Sequence, residues 1–221
     1  MANLVQIRML ENISGVLLVD KPAGITFTTV IKSIKRKFNL VKVGHGGSLE
    51  TMASGLLVLL VGDANGFVDN IMNLDREYTG TVRLGLKTDT GDINGRPLEG
   101  AAESVPSLSE FKGDVFLTEP RFAAIRKEGA SHYEIVDTGA HVQTLSHVYK
   151  MEFDGNAFAM HVSKNFIPRA LVSDMNLAIE TLRRTKVGRF SVEDAITFEK
   201  ILDTDLADFA SCVIPLRDAL Q

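Results

Sequence analysis

Residues 44–55 read Gly-His-Gly-Gly-Ser-Leu-Glu-Thr-Met-Ala-Ser-Gly and run directly into the apolar segment 56–61, Leu-Leu-Val-Leu-Leu-Val. Four glycines in these twelve residues permit backbone conformations that other residues avoid, and they let a ligand approach the main chain closely. The loop displays one imidazole, His45, and one carboxylate, Glu50. Such a loop before a buried strand is a frequent place for chemistry, although an ordinary Gly-rich turn before a core strand has the same pattern.

The composition indicates a globular protein. The chain has 221 residues, 45% of them apolar, which fits one domain or two tightly joined halves with a sizeable core. No apolar run approaches the ~20 residues that span a bilayer, and Glu11 and Asp20 do not fit the layout of a signal peptide. We therefore expect an intracellular, cytoplasmic protein with no membrane partner, and an organelle stays open as an alternative.

The cysteine and histidine content does not point to a metal. Cys212 is the single cysteine, so the sequence offers neither a disulfide framework nor a thiolate cluster. The five histidines show none of the helical His-x-x-x-His spacing typical of zinc sites. We expect no metal.

The charge pattern is acidic overall with one local basic stretch. A net charge of −4 and a pI near 5.8 argue against a protein that coats nucleic acid indiscriminately. Five cations nevertheless precede the Gly-rich loop within eleven residues, namely Lys32, Lys35, Arg36, Lys37 and Lys42. They fit a contact with an RNA backbone, and they fit equally well the solvated side of an amphipathic helix.

Apolar spacing and turn residues predict a mixture of strands and helices. Thr26 or Thr28 is the expected cap of the first helix, and Asp63 that of the second. Asp154-Gly155-Asn156 is a good hairpin turn. We expect strands at about 15–20, 56–61, 78–85, 145–153 and 157–162, and helices at about 26–38, 63–72 and 171–182.

The loop at 44–55 closely resembles the catalytic motif of the TruB-type tRNA pseudouridine-55 synthases, a family of the pseudouridine synthase superfamily. That motif reads Gly-His-Thr-Gly-x-Leu-Asp-Pro-x-Ala-x-Gly and is also followed by an apolar strand. Glu50 stands where the family has its catalytic aspartate, and Thr51 stands where it has proline.

The resemblance covers about residues 15–220, because further motifs of the family follow in the family's order. Residues 20–24 resemble Asp-Lys-Pro-x-Gly, and residues 75–78 resemble Asp-Lys-x-Tyr. Residues 163–169 match the two ends of Ser-Lys-Gly-Thr-Tyr-Ile-Arg, with Ile167 in place of an aromatic residue. The other similar segments are 88–95, 111–114, 120–127 with Tyr133, and the Leu-Arg-Arg run at 182–190.

The resemblance implies the fold and the chemistry. We expect an α/β (α+β) pseudouridine synthase fold, with a central mixed, mainly antiparallel sheet flanked by helices. It forms a single catalytic domain over residues 1–221 without the PUA-type domain of many members. Glu50 is then the nucleophile, Arg169 its ion-pair partner and Tyr78 the residue that stacks on the target base, with no cofactor. The residues expected to bind RNA are His45, Lys21, Lys32, Lys35, Arg36, Lys164 and Leu182.

Two hypotheses about function follow, and the first is favoured. The chain isomerises uridine to pseudouridine in the TΨC arm of tRNA, acting as a monomer. Alternatively it is a catalytically inactive RNA-binding protein that serves as a folding or assembly factor, because Glu50 replaces an aspartate. A phosphate-binding enzyme is a third class, and it is disfavoured because no Gly-Lys-Ser/Thr follows the glycines.

Overall fold

The computed structural model describes residues 13–118, 122–125, 134–137 and 143–219. The similar segment at 120–127 with Tyr133 lies largely outside the described residues. The chain divides into two compact units, the first from Met1–Glu77 and Arg183–Gln221 and the second from Tyr78–Leu182. The prediction of a single catalytic domain over the whole chain stays a prediction.

The described part of the chain consists mainly of strands, with short helices between some of them. The first four strands are β1 (Gly15–Lys21), β2 (Val43–His45), β3 (Ser54–Val61) and β4 (Arg76–Arg83). Two two-residue strands follow, β5 (Lys87–Thr88) and β6 (Pro97–Leu98). The next six are β7 (Gly113–Thr118), β8 (Phe122–Ile125), β9 (Glu134–Asp137), β10 (Gln143–Asp154), β11 (Ala157–Val162) and β12 (Ala178–Val187). Three further two-residue strands are β13 (Phe190–Ser191), β14 (Ile196–Thr197) and β15 (Ile214–Pro215). The α-helices are α1 (Phe27–Lys37), α2 (Val68–Met72), α3 (Pro168–Asp174), α4 (Phe198–Asp203), α5 (Leu206–Phe209) and α6 (Leu216–Ala219).

The first unit is built on two predicted apolar strands, β1 before the Gly-rich loop and β3 after it. Its strand order is β14-β1-β3-β12, with β2 also paired to β3. Strands β1 and β3 pair antiparallel along seven residues, and β12 pairs parallel to β3 at Arg184 and Gly55. Nearly every residue of β1 and β3 is buried, as expected for strands covered on both faces.

Helix α1 begins and ends as its sequence predicts. The Thr26 hydroxyl accepts a hydrogen bond from the Thr29 amide at 3.1 Å, which satisfies one of the free N–H groups of the first turn. Its buried side chains are Phe27, Val30 and Ile34. Three cations, Lys35, Arg36 and Lys37, occupy the last turn, where they complement the negative end of the helix dipole.

The second unit contains the predicted hairpin. Its strand order is β12-β4-β11-β10-β7, in which β10 pairs antiparallel to both β11 and β7. Strand β11 starts and ends where the sequence predicts, and a bulge lies between Val148 and Lys150 of β10. With its two parallel pairs and its many antiparallel pairs, the described structure has the mixed, mainly antiparallel sheet expected from the resemblance.

The helix predicted at 171–182 is wrong. Helix α3 ends at Asp174, and strand β12 begins at Ala178. Apolar residues at 171, 175, 178 and 182 have helical spacing, but Asn176 adopts a left-handed φ of 58°, which stops the helix. The amide of Leu177 still donates to the carbonyl of Val172, at 3.1 Å, before the chain turns into the strand.

The helix predicted at 63–72 differs in its first half. A 3₁₀ turn covers Gly62–Phe67, and only Val68–Met72 is α-helical. Asp63 lies inside this turn rather than capping it, and the Ala64 amide donates to the Ser14 hydroxyl at 3.1 Å. Among the described residues, no helix is long and apolar enough to cross a membrane.

Candidate active site

A buried arginine of β12 contacts the main chain of the Gly-rich loop. Arg184 is only 2% exposed, and its guanidinium donates three hydrogen bonds to main-chain carbonyl groups. Nε donates to Leu56 at 2.8 Å, Nη1 to Ser48 at 2.9 Å and Nη2 to Gly47 at 3.2 Å. Because a buried cation is costly without hydrogen-bond partners, these carbonyl groups are what allow Arg184 to be buried.

A second buried arginine, at the start of β4, contacts the same loop. Arg76 is 4% exposed and its Nη2 donates to the carbonyl of Gly46 at 3.1 Å, while its Nη1 donates to the carbonyl of Leu74. The carbonyl groups of residues 46, 47 and 48 therefore all accept hydrogen bonds from guanidinium groups. The backbone just before Glu50 is fixed by side chains from two other segments of the first unit.

Two of the glycines are required by this packing. A Cβ on Gly46 would overlap Cγ2 of Ile71, so no larger residue fits there. Gly47 has a φ of 134°, which only glycine adopts readily, and a Cβ on it would lie 3.0 Å from Nη2 of Arg76. The glycines predicted to give the loop its freedom thus also let it approach the guanidinium groups.

Glu50 begins a hydrogen-bonded turn. The Ala53 amide donates to the Glu50 carbonyl at 3.1 Å, which makes Thr51 the second residue of a four-residue turn. Proline is favoured at that position of such turns, which is where the similar family has it. The carbonyl of Thr51 accepts from the Gly24 amide at 2.7 Å. The turn therefore forms without proline, and it leaves Glu50 half-buried rather than sealed from solvent.

His45 lies at the end of β2, directly before the loop. Its ring is 4.9 Å from the ring of Phe27 and inclined to it by 60°. The Gly47 amide donates to His45 Nδ1 at 3.3 Å, so in the neutral imidazole the proton is on Nε2. The side chain is half-buried, which leaves part of the imidazole accessible.

Lys21 is buried, although the sequence predicts that it binds RNA. Its side chain has no exposed surface, and Nζ donates to the carbonyl groups of Pro22 at 2.8 Å and Ile25 at 2.9 Å. Burial, and secondarily the charge of Arg184, lowers the pKa of Lys21 to about 8. The ammonium group thus faces the chain's own carbonyls, and its predicted contact with RNA stays untested.

Neighbouring residues of β12 point in opposite directions, as in any strand. While Arg184 points inward, Arg183 forms a two-pronged ion pair with Asp20, at 3.0 and 2.7 Å from its two carboxylate oxygens. This pair ties β12 to the end of β1, where the resemblance also places a motif.

In the second unit, Arg169 is held by the turn-rich loop at 88–95. Arg169 is the second residue of α3, is 8% exposed, and donates from Nη1 to the Thr90 carbonyl at 2.5 Å. The Asp92 carboxylate lies 3.8 Å from the same nitrogen and accepts from the Asn94 amide at 2.8 Å. The loop at 88–95 therefore supports Arg169.

The other predicted site residues of the second unit differ in exposure. Tyr78 on β4 is 5% exposed and Leu182 on β12 is 3% exposed, whereas Lys164 is exposed. Glu50 belongs to the first unit and Tyr78 and Arg169 to the second. Their predicted convergence on one uridine stays a prediction.

Arg76 and Arg184 stand inside segments that match the family, at 75–78 and 182–190, and the motifs alone do not distinguish them from their neighbours. A signal was present for Arg184, because Ala178, Leu182 and Arg184 are buried and share one side of a strand once 178–187 is assigned as one. A cation at a buried strand position indicates a specific partner.

Comparison with known proteins identifies the family. Residues 35–163 match the family described as TruB family pseudouridylate synthase (N terminal domain). The chain is 34% identical to the tRNA pseudouridine synthase B of Azoarcus sp. (strain BH72) over 209 residues, which cover 86% of this chain and 70% of the relative. It is 30% identical to the enzyme of the same name from Opitutus terrae over 233 residues, 95% of each chain.

Among solved structures, the fold is similar to a chain of a Cbf5-Nop10-Gar1 complex, with a TM-score of 0.69 and 23% identity. The match covers 96% of this chain, which spans 63% of the length of that one. The sequence matches define the class as that of the pseudouridine synthases. The chain belongs to the TruB family of pseudouridylate synthases, which confirms the family, the fold class and the kind of activity predicted from the sequence.

We expect Gly46→Ala to destabilise the protein by about 1–3 kcal/mol, because the added methyl group overlaps Ile71 in a packed core. The matched control is Gly66→Ala, where a Cβ would meet nothing within 4 Å. Urea unfolding followed by circular dichroism measures both. Equal stability of the two variants would contradict the close packing described for the loop.

A second prediction concerns pH. Because Lys21 holds its proton less tightly in the folded state (pKa about 8) than in the unfolded state (10.5), the unfolded state binds more protons between these values. Stability from this group therefore rises as pH increases from about 8 to 10.5. Relative to Lys21→Met, the unmodified protein should gain roughly 1–3 kcal/mol across that window.

Urea unfolding at pH 7.5, 9 and 10.5 measures this difference. Lys32→Met, at an exposed lysine, is the control and should stay parallel to the unmodified protein. A constant difference between Lys21→Met and the unmodified protein would show that Lys21 titrates normally in the folded state.

Proposed function

We propose that this chain isomerises uridine to pseudouridine in RNA, with position 55 of the tRNA TΨC arm as its target, and that it acts as a monomer. One observation carries the proposal. At the position of the family's nucleophile, a carboxylate stands half-exposed at the start of a hydrogen-bonded turn, directly after a backbone segment fixed by two buried guanidinium groups. The relatives named tRNA pseudouridine synthase B support the substrate class.

The proposed chemistry uses Glu50 as the nucleophile. Its carboxylate oxygen bonds to C1′ as the N1–C1′ bond breaks, the base turns, and C5 bonds to C1′ as the bond from the carboxylate oxygen to C1′ breaks. The hydrogen of C5 then leaves as a proton, N1 takes up a proton, and the carboxylate is regenerated. The isomerisation is redox-neutral, so these reaction steps require no cofactor.

Arg169 and Tyr78 are proposed to complete the centre. Arg169 is a candidate ion-pair partner for Glu50 because its guanidinium is fixed in place by the Thr90 carbonyl and the Asp92 carboxylate. Tyr78 stacks on the target base after the base leaves the RNA helix, as enzymes that act on a base commonly require. Since Tyr78 is 5% exposed, we expect RNA binding to uncover its ring.

RNA binding is proposed to use the exposed face of α1. Lys32, Lys35 and Arg36 are spaced three and four residues apart, so they share one side of the helix, and all three are exposed. His45, Lys21, Lys164 and Leu182 are proposed as further RNA contacts from the resemblance. Leu182 and Lys21 are buried, so any contact by them needs a local rearrangement.

The role of Glu50 is tested by replacing it. We expect Glu50→Gln to abolish pseudouridine formation on a TΨC stem-loop, because an amide is not a competent nucleophile. Glu50→Asp should lower the rate by on the order of a hundredfold, because shortening the side chain withdraws the carboxylate by ~1 Å from the place to which this loop is fitted. Pseudouridine is quantified by chromatography of the digested RNA.

Glu199→Asp, at an exposed position of α4, is the matched control and should leave the rate unchanged. If Glu50→Gln retains the rate of the unmodified protein, Glu50 is not the nucleophile. If the unmodified protein and both Glu50 variants bind the stem-loop equally well and none forms pseudouridine, the protein is an RNA-binding protein without this activity. A rate that rises in Glu50→Asp would show that the loop is not fitted to glutamate.

The proposed RNA-binding face is tested through salt dependence. Replacing any one of Lys32, Lys35 or Arg36 by methionine should weaken stem-loop binding and reduce the slope of log K against log salt by roughly one unit. Filter binding between 50 and 300 mM KCl measures the slope.

Lys37→Met provides the control within the same helix. It removes the same charge, but the Lys37 ammonium donates to the carbonyl of Leu202, away from the proposed face. We expect this change to lower stability and to leave the slope nearly unchanged. Equal slopes for all four variants would show that only net charge matters, and the face would then be an ordinary solvated helix surface.

A further inference from the structure

We propose that Arg184 is a positioning residue of the isomerisation, which sets the place of the Glu50 carboxylate by holding the main chain on both sides of it. The inference rests on the proposed function, in which Glu50 is the nucleophile. Arg184 itself contacts carbonyl groups of the loop and acts on the reaction only through Glu50.

The three acceptors of Arg184 enclose the Glu50 turn. Gly47 and Ser48 precede Glu50 by three and two residues, and Leu56 follows it, already inside β3. The guanidinium of Arg184 therefore links the main chain before the Glu50 turn, at Gly47 and Ser48, to the main chain after it, at Leu56. We call this arrangement of Arg184 and its three acceptors the clasp. Because its donors lie in one rigid plane, the relative places of the three carbonyl groups are fixed together.

Arg184 is itself fixed by the sheet. In β12 it pairs with Gly55 of β3, and the main chains approach so closely that a Cβ on Gly55 would overlap the Arg184 carbonyl. Gly55 has a φ of 102°, which favours glycine. The clasp thus starts from a rigid strand and reaches into the loop, so a change in the side chain is transmitted to the loop rather than absorbed by the sheet.

Buried positive charge is concentrated beside the Gly-rich loop. Three cations, Lys21, Arg76 and Arg184, are buried in the first unit, and Arg184 contributes to the lowered pKa of Lys21. An atom added at Gly47 would lie 3.0 Å from Arg76 Nη2 and 3.8 Å from Arg184 Nη1, so both guanidinium groups border that residue. An apolar side chain at position 184 would remove the donor of all three carbonyl groups, whereas lysine would keep the charge and lose the fork.

A small displacement of the Glu50 carboxylate is expected to slow the reaction. A displacement of ~1 Å at a reacting group can lower a rate roughly a hundredfold. Lysine at position 184 keeps the charge, but a single ammonium cannot reproduce the planar fork that contacts Gly47, Ser48 and Leu56. Arg184→Lys is therefore the informative variant, and Arg184→Met is the more disruptive one.

The test separates the chemical step from RNA binding. For Arg184→Lys we expect the single-turnover rate on a TΨC stem-loop to fall by roughly 10- to 100-fold, with the dissociation constant of the RNA changed by less than about threefold. Hydrogen exchange of the amides at 46–53 should become faster, while that of β7 and β10 in the second unit should not change. Arg184→Met should show both effects more strongly.

Two control variants exclude indirect explanations. Met151→Ala leaves a cavity at a fully buried position of the second unit, so it lowers stability without touching the loop. Lys186→Met alters an exposed residue of the same strand that pairs with Glu77 at 3.3 Å. We expect both to retain the rate measured for the unmodified protein under conditions in which they are folded.

Each result decides the proposal. An unchanged rate in Arg184→Lys, or a loss matched by Met151→Ala at equal stability, would overturn the positioning role. A loss that lies entirely in RNA affinity would also overturn it. If the unmodified protein forms no pseudouridine, the proposed function fails, and exchange at 46–53 alone decides: faster exchange in Arg184→Lys supports the clasp, and unchanged exchange rejects it.

Discussion

The structure of the Gly-rich loop depends on the contact between a buried guanidinium and main-chain carbonyl groups. A loop of this kind exposes carbonyl oxygens that no strand or helix satisfies, and a buried arginine has donors that need acceptors. Arg184 and the carbonyl groups of Gly47, Ser48 and Leu56 satisfy each other. The result is a rigid backbone without regular secondary structure, which is what a loop that presents a carboxylate needs.

The second unit uses the same device. Arg169 is buried at the start of α3, and it donates to the Thr90 carbonyl of the turn-rich loop. Here a carboxylate, Asp92, is also close at 3.8 Å. In both units a turn-forming segment that was recognisable from its sequence is held by an arginine from a later segment, and in both cases the side chain is more than nine-tenths buried.

The elements that the sequence predicts correctly are those determined by neighbouring residues. Strand β1, helix α1 and the β10–β11 hairpin were predicted because each is determined by neighbouring residues: an apolar run, a threonine cap, and an Asp-Gly-Asn turn. The helix predicted at 171–182 was wrong because its apolar residues have helical spacing. The left-handed backbone at Asn176 and the pairing of β12 override that local signal. The carbonyl groups that Arg184 contacts could not be predicted, because they lie 128 to 137 residues away from it in the sequence. The burial of Lys21 was not predicted either.

We propose that this loop presents Glu50 as the nucleophile, in the place of the family's aspartate. Isomerisation replaces the C5–H bond of the target uridine by a bond to C1′, so a stem-loop carrying tritium at C5 of uridine 55 reports the chemistry directly. With the unmodified protein in excess over this RNA, we predict release of tritium to water until one equivalent per RNA is lost. Saturated binding of the stem-loop without any release of tritium would show that the protein does not isomerise uridine 55.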